Sequence, residues 1–461
     1  MELTAQALAT LTGGTVVAGD PTVTATSYAI DSRALEAGAC FVALVAERDG
    51  HDFVADAFAR GAAVALVTRT VGDPAGTVVR VDDAFGALAR LGRAARDELH
   101  DATVVGITGS AGKTSTKDLA AAALAPKFHV HASPGSYNNE AGVPLTLLSA
   151  PSATEALVLE MGARAHGDIA ALCAIARPDV GVITNIGLAH AGLLGGRAGV
   201  ARVKGELLEA LDDHGLAVLD ADDPETPGLV ARTAARVLLV GTDPGAELRA
   251  TDITLDADLR PTFTLASPWG GGTVALHVRG AHQVVNASLA AAVALARGVA
   301  FADVAAALAT VQPAPWRMEV VRTSDDVLVL DDAYNANPSS MAAALESLAR
   351  VDVRGRRLAV LGEMRELGEF SEREHAALGV LVGTTAVDVL VAVGPEAAPL
   401  AAAARSVGVS VTEVSDAAAA LDAVSSFVVP GDAVLVKGSR AVGLELVATA
   451  LRGTRTQEDA G

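Results

Sequence analysis

The segment Gly109-Ser110-Ala111-Gly112-Lys113-Thr114-Ser115 follows the apolar run Thr103–Thr108 and opens a stretch of helical character. Glycines let backbone N–H groups turn inward around phosphate oxygens. A helix N-terminus adds partial positive charge, Lys113 can reach the β- and γ-phosphates, and the Thr114 hydroxyl can hold Mg²⁺. The spacing departs from the usual phosphate loop. Ile107 stands where the first glycine belongs, and the glycines fall at Gly106 and Gly109. Gly-Lys-Thr in a loop is common by chance, but between a strand and a helix it is not, so the pattern predicts an ATP site.

A metal at such a loop needs a carboxylate at the end of a neighbouring strand. Glu155–Glu160 is an apolar strand ending in Glu160, followed by Met161-Gly162-Ala163-Arg164, a glycine turn with a cation beside it. The next strand runs on through Ile183-Thr184-Asn185-Ile186-Gly187 to His190. In a parallel sheet it ends on the same rim, so His190 is a candidate for a second Mg²⁺ or a phosphate, balanced against a structural role. His129 and His131 read as structural because no third ligand accompanies them. Lys204, on a helix expected over Val200–Asp212, reads equally well as a solvated lysine.

These residues need a scaffold. The chain has 461 residues, enough for about three domains. Strands and short helices mix over residues 1–100, with strands at Phe41–Val45 and Ala62–Val67 and a helix at Ala84–Leu99. From 101 to 312 a β/α alternation predicts a parallel sheet with helices on both faces. Its strands are Thr103–Thr108, Ala156–Glu160, Val180–Asn185 and Leu216–Leu219, and helices begin near Lys113, Gly167 and Val200. Residues 246–280 alternate polar and apolar, predicting an antiparallel flap with strands at Leu248–Ile253 and Val274–Val278. Pro313-Ala314-Pro315 marks a boundary. A second doubly wound domain follows over 313–461, with strands at Val327–Asp332, Arg357–Gly362, Val387–Val393 and Ala433–Val436. Residues 457–461 are expected to fray. The fold class is α/β throughout.

The net charge of −20 argues against a nucleic-acid backbone as partner, though not against a small anion met by local cations. Two distant cysteines, Cys40 and Cys173, exclude a disulfide framework. No signal-peptide pattern or membrane-length apolar run appears, so the sequence reads as cytoplasmic.

Taken together, the segments resemble the ATP-dependent Mur ligases of peptidoglycan synthesis, whose shifted loop, Gly106-x-Thr108-Gly109-x-x-Gly112-Lys113-Thr114-Ser115, is shared with folylpolyglutamate synthase. Asn138-Asn139-Glu140-Ala141-Gly142-Val143-Pro144, Val203-Lys204-Gly205-Glu206, Arg317-Met318-Glu319, Asp331-Asp332-Ala333-Tyr334-Asn335-Ala336-Asn337-Pro338 and Leu435–Arg440 carry the likeness. They are most similar to the branch that adds D-alanyl-D-alanine to UDP-N-acetylmuramoyl-tripeptide. The resemblance covers essentially the whole chain.

It implies an N-terminal domain for the UDP-sugar, a central ATPase and a Rossmann-like C-terminal domain that closes over the site. It also implies phosphorylation of the tripeptide carboxylate, then attack by the dipeptide amine on the acyl phosphate. Lys113 would stabilise the transferring phosphoryl group. Thr114 and Glu160 would hold the first Mg²⁺, and His190 a second. Lys204 matches a lysine that is carbamylated and so becomes a metal ligand. Arg317 and Asp332 match positions at phosphate and ribose, and Asn286 one near adenine. Asp31-Ser32-Arg33 falls on the uridine side. Asn138, Asn139, Arg164, Asn335, Asn337 and Lys437 are implied on the substrate side of the cleft, and the family implies a monomer. Departures are Gln283 and Asp220 where asparagine is usual, Glu363 for aspartate, and Trp316 and Ala46 for glycine. Rival readings are another ligase of the superfamily, a phosphate-loop kinase acting on a hydroxyl, and a non-catalytic ATP-binding regulator.

Overall fold

The computed structural model describes residues 1–72 and 75–453, so the expected fraying at 457–461 lies outside the described residues. Besides a two-stranded pair of Leu3–Thr4 with Thr24–Ala25, three larger sheets from successive parts of the chain organise the described residues. The first has five strands in the order Thr15–Ala18, Thr77–Arg80, Val64–Val67, Ala39–Val42, Ser27–Ala29. The second has nine and runs parallel from its Val130–Ala132 edge as far as Leu248–Leu255. The third has six, parallel except for the edge strand Glu319–Arg322.

In the second sheet Thr103–Thr108 lies between Ala156–Glu160 and Val180–Ile183. The chain leaves this strand for one side of the sheet and returns past it to the other. The loops at its C-terminal end therefore diverge and leave a crevice. Buried Val and Leu fill these strands, as a sheet covered on both faces requires. The helix Lys113–Leu124 starts directly after the glycine loop and packs against Gln283–Ala296. Ala120, Ala123, Ala287, Ala290, Ala291 and Ala294 are wholly buried in the shared core, so the chain's alanine richness serves close helix packing.

Several expectations shift. The helix Ala84–Glu98 packs on Gly142–Ser149 and Asp168–Ala176, so the first two units share one core across residue 100. The antiparallel pairing expected over 246–280 is present, but Leu248–Leu255 also pairs parallel with Arg236–Gly241, so the flap is the continuing edge of the main sheet. Its second strand is Pro261–Ser267, followed by Gly270–Ala275 rather than Val274–Val278. The glycines at 270–272 have no side chains to show alternation. The expected Val200–Asp212 helix begins at Gly196, ends at Lys204 and resumes at Glu206–Glu209. There the buried Glu206 carboxylate accepts from Gly167 N (2.8 Å) and Ala170 N (3.0 Å), capping another helix. The Phe41–Val45 strand is Ala39–Val42, and the second domain's strands begin at Leu328 and Val389.

Candidate functional site

Gly106 belongs to the strand, not the loop. It is buried, and a Cβ there would press on Leu207 and Met161 at 3.0–3.3 Å. The cradle itself is Gly109–Gly112. A Cβ at Gly109 would lie 1.8 Å from Thr184 Oγ1, so only glycine passes there. Gly112 has φ +79° and lies against the Asn286 amide, 2.5 Å from where a Cβ would sit. The adjacent strand end pins the loop. Ala111 N donates to Asn185 Oδ1 (3.0 Å), Thr184 Oγ1 donates to Ala111 O (2.5 Å), and Ser110 N donates to Asn185 O (3.0 Å). The N-terminus of Lys113–Leu124 faces the same space, a ready anion site.

The loop opens into a cavity of about 920 Å³ between the second and third sheets. Ser110, Ala111, Gly112, Lys113, Thr114, Ser115, Asn138, Asn139, Glu160, Arg164, His190, Lys204, Asn286, Arg317, Asp332, Asn335, Asn337 and Lys437 all line it. Asp31, Ser32 and Arg33 do not. They form a separate turn, with Arg33 Nη2 on Asp31 Oδ2 (2.7 Å), whose guanidinium holds the Asp31 carboxyl down to about 2.

Thr114 Oγ1 donates to Glu160 Oε2 (2.7 Å), and Asn138 Nδ2 donates to Glu160 Oε1 (2.7 Å). Lys113 Nζ bonds Gly109 O (2.9 Å), and desolvation lowers its pKa. Lys204 is 1% exposed, which overturns the solvated reading. Burial, then the charge of Lys113, pushes its pKa well below the ordinary lysine value. Among the described residues no three His, Cys, Asp or Glu side chains form a metal cage. One hydroxyl and one carboxylate still suit Mg²⁺, which completes its shell with water and nucleotide phosphates.

The third sheet contributes the rest. Arg317 Nη2 donates to Thr114 Oγ1 (2.9 Å) across 203 residues of chain. Its guanidinium lies over the Tyr334 ring, 4.1 Å from the centroid, and Tyr334 Oη donates to Ser136 Oγ (2.6 Å). Asn337 caps the helix Pro338–Arg350 and reaches Ser110 O (3.3 Å). Lys437 Nζ is held by Asp332 Oδ2 (2.6 Å) and Asn335 O (2.9 Å). His190 contacts Glu366 of the third unit.

Sequence reasoning passed over Asn185, Thr184, Ser136, Lys117 and Glu366. Asn185 at a strand end beside the loop was findable. Lys117 is buried and bonds Ser133 O (2.7 Å) and Gly135 O (3.1 Å), tying the loop helix to the segment bearing Ser136 and Asn138. Nothing local marks it. His131 proves structural, bonding Thr146 O (3.1 Å), and His129 is exposed.

Asp220 also lines the cavity. Burial, reinforced by Asp222 and Asp223, pushes its carboxyl up to about 7. Below that pH it is neutral, and above it adds a negative charge to a pocket built for a polyanion. The KM for ATP should therefore rise as pH increases through 7, and Asp220→Asn should flatten the profile. Superimposable profiles for the two proteins would contradict this.

Comparison with known proteins agrees with the geometry. Residues 107–294 match the Mur ligase middle domain, and residues 316–440 the Mur ligase glutamate ligase domain. The chain is 43% identical to the UDP-N-acetylmuramoyl-tripeptide–D-alanyl-D-alanine ligase of Mycobacterium tuberculosis over 98% of each chain. A crystal structure of MurF from Acinetobacter baumannii superposes with a TM-score of 0.88 at 33% identity, covering 98% of this chain and 99% of that one. MurF ligase from Thermotoga maritima in complex with ADP gives 0.77 at 32% identity, covering 91% and 96%. The chain belongs to the Mur ligase family, among its UDP-N-acetylmuramoyl-tripeptide–D-alanyl-D-alanine ligases.

Proposed function

We propose that this protein joins D-alanyl-D-alanine to UDP-N-acetylmuramoyl-tripeptide in the cytoplasm, driven by ATP. The observation that carries it is Arg317, on the turn leading into the third sheet, bonded to Thr114 of the phosphate loop, within one large cavity. A kinase could phosphorylate a hydroxyl on the central sheet alone. A second sheet closing over the phosphates suits a reaction that must keep water from an activated acyl group.

A carboxylate oxygen of the tripeptide attacks the γ-phosphorus, and the bond to ADP breaks. The dipeptide nitrogen then attacks the acyl carbon. The tetrahedral intermediate collapses, the C–O bond breaks, phosphate leaves and the amine loses a proton. Lys113 and Arg317 supply fixed positive charge where the transferring group becomes most negative. Thr114 and Glu160 would hold Mg²⁺, with His190 and Lys204 serving a second ion. Bound there, a metal would supply positive charge against the phosphates. Lys437 holds Asp332, which would meet the ribose, and Asn286, which lies against Gly112 of the loop, would face adenine.

The depressed pKa of Lys204 supports its carbamylation. Only a neutral amine attacks CO₂, giving a carbamate and a proton. The product is an anion that suits a site crowded by Lys113. The three sheet-centred units, approximately 1–100, 101–312 and 313–461, would serve the UDP-sugar, ATP and closure. Asp31, Ser32 and Arg33 lie on the first.

Phosphate release should require all three substrates and yield a product of the tripeptide plus dipeptide mass. Release indifferent to the dipeptide would overturn the reading. Lys204→Ala should lower kcat by at least about 100-fold, as loss of a transition-state charge contact does. Acetate or formate should restore part of it, and a fully active Lys204→Ala protein would sink the carbamate.

A further inference from the structure

A metal-binding imidazole needs its second ring nitrogen held, because that bond sets both tautomer and ring direction. His190 lies in the left-handed region at φ +60°, at the start of the short helix Ala191–Leu194. Its side chain is one-quarter exposed and lines the cavity. Nδ1 lies in ion-pair contact with Glu366 Oε2, without an aligned hydrogen bond, and Nε2 is the other ring nitrogen.

Glu366 comes from the third unit and is also left-handed, at φ +64°. The turn that carries it is pinned. Met364 N donates to His375 Nε2 (2.9 Å), and Arg365 N donates to Ser439 Oγ (2.9 Å). Glu366 O in turn accepts from Gly192 N (3.1 Å). Gly192 and Gly368 meet backbone to backbone, and a Cβ on Gly192 would come within 2.5 Å of Gly368 N. An incidental surface ion pair needs neither this close approach nor two non-glycine residues in a disfavoured conformation. Both features belong to a contact that the surroundings over-determine.

We infer that Glu366 is a positioning residue for His190: the third unit delivers a carboxylate that aims the imidazole at a cation, so docking of that unit completes the second cation site. Nucleotide binding on the central sheet and closure of the third unit then stabilise each other. Arg164, 4.0 Å from Glu366 Oε1, belongs to the same contact and balances its charge. This inference rests on reading His190 as a cation ligand of the ligase.

The full-length protein, with a non-hydrolysable ATP analogue, can be titrated with Mn²⁺ and followed by electron paramagnetic resonance. Two ions should bind to the native chain. Glu366→Gln should weaken one of them by about 10–100-fold and leave the other unchanged. His190→Ala should weaken the same ion, and the double variant no further. Gly192→Val keeps both side chains in the protein but blocks docking, so it should reproduce the loss. Native-like titration of Glu366→Gln, or a single ion in the native chain, overturns the inference. Amide formation by the native enzyme is a separate measurement. Its absence would overturn the ligase reading alone.

Discussion

A protein with a net charge of −20 that must hold a triphosphate beside a carboxylate has one governing constraint: local positive charge has to exceed a repulsive background. Backbone amides meet part of it. Asn185 takes the Ser110 and Ala111 N–H groups, and the N-terminus of Lys113–Leu124 provides N–H dipoles that carry no solvated counter-charge. Lys113 and Arg317 add two full charges. At ~4 Å each is worth about 4 kcal/mol against one phosphate charge near a protein surface, and about 1 kcal/mol in open water. Excluding water therefore matters as much as placing the cations.

Exclusion depends on the third sheet. Arg317 reaches Thr114, Tyr334 stacks on Arg317 and bonds Ser136, and Asn337 reaches Ser110. Each contact ties the phosphate loop, or the segment beside it, to the unit that covers it. The segment beside it is held by Lys117, which projects from the loop's own helix. One helix thus positions an anion cradle at its N-terminus and the docking point for the lid along its side.

Much of this was legible in the sequence. Thr103–Thr108, Ala156–Glu160 and Arg357–Gly362 begin and end where their apolar runs do, because buried parallel strands leave little ambiguity. The Glu160–Thr114 pair follows from a strand-end carboxylate next to a phosphate loop. The edge strands Val130–Ala132 and Gly270–Ala275 were hidden by brevity and glycine. The partners of His190 and Arg317 were hidden for a different reason. Glu366 and Tyr334 meet the central unit only through tertiary docking, and no local spacing encodes which surface turn lands on which loop. Lys204 shows the same limit, because helical pattern alone did not reveal that its ammonium is buried.

Activation of the substrate carboxylate by phosphoryl transfer is what the cations, the buried lysine and the closing sheet have in common. UDP-N-acetylmuramoyl-tripeptide labelled with ¹⁸O in its terminal carboxylate tests it directly. If the carboxylate oxygen attacks the γ-phosphorus and leaves with it, the phosphate released during amide formation carries one ¹⁸O from the substrate. Unlabelled phosphate accompanying full amide formation would contradict an acyl phosphate and the site assignments built around it.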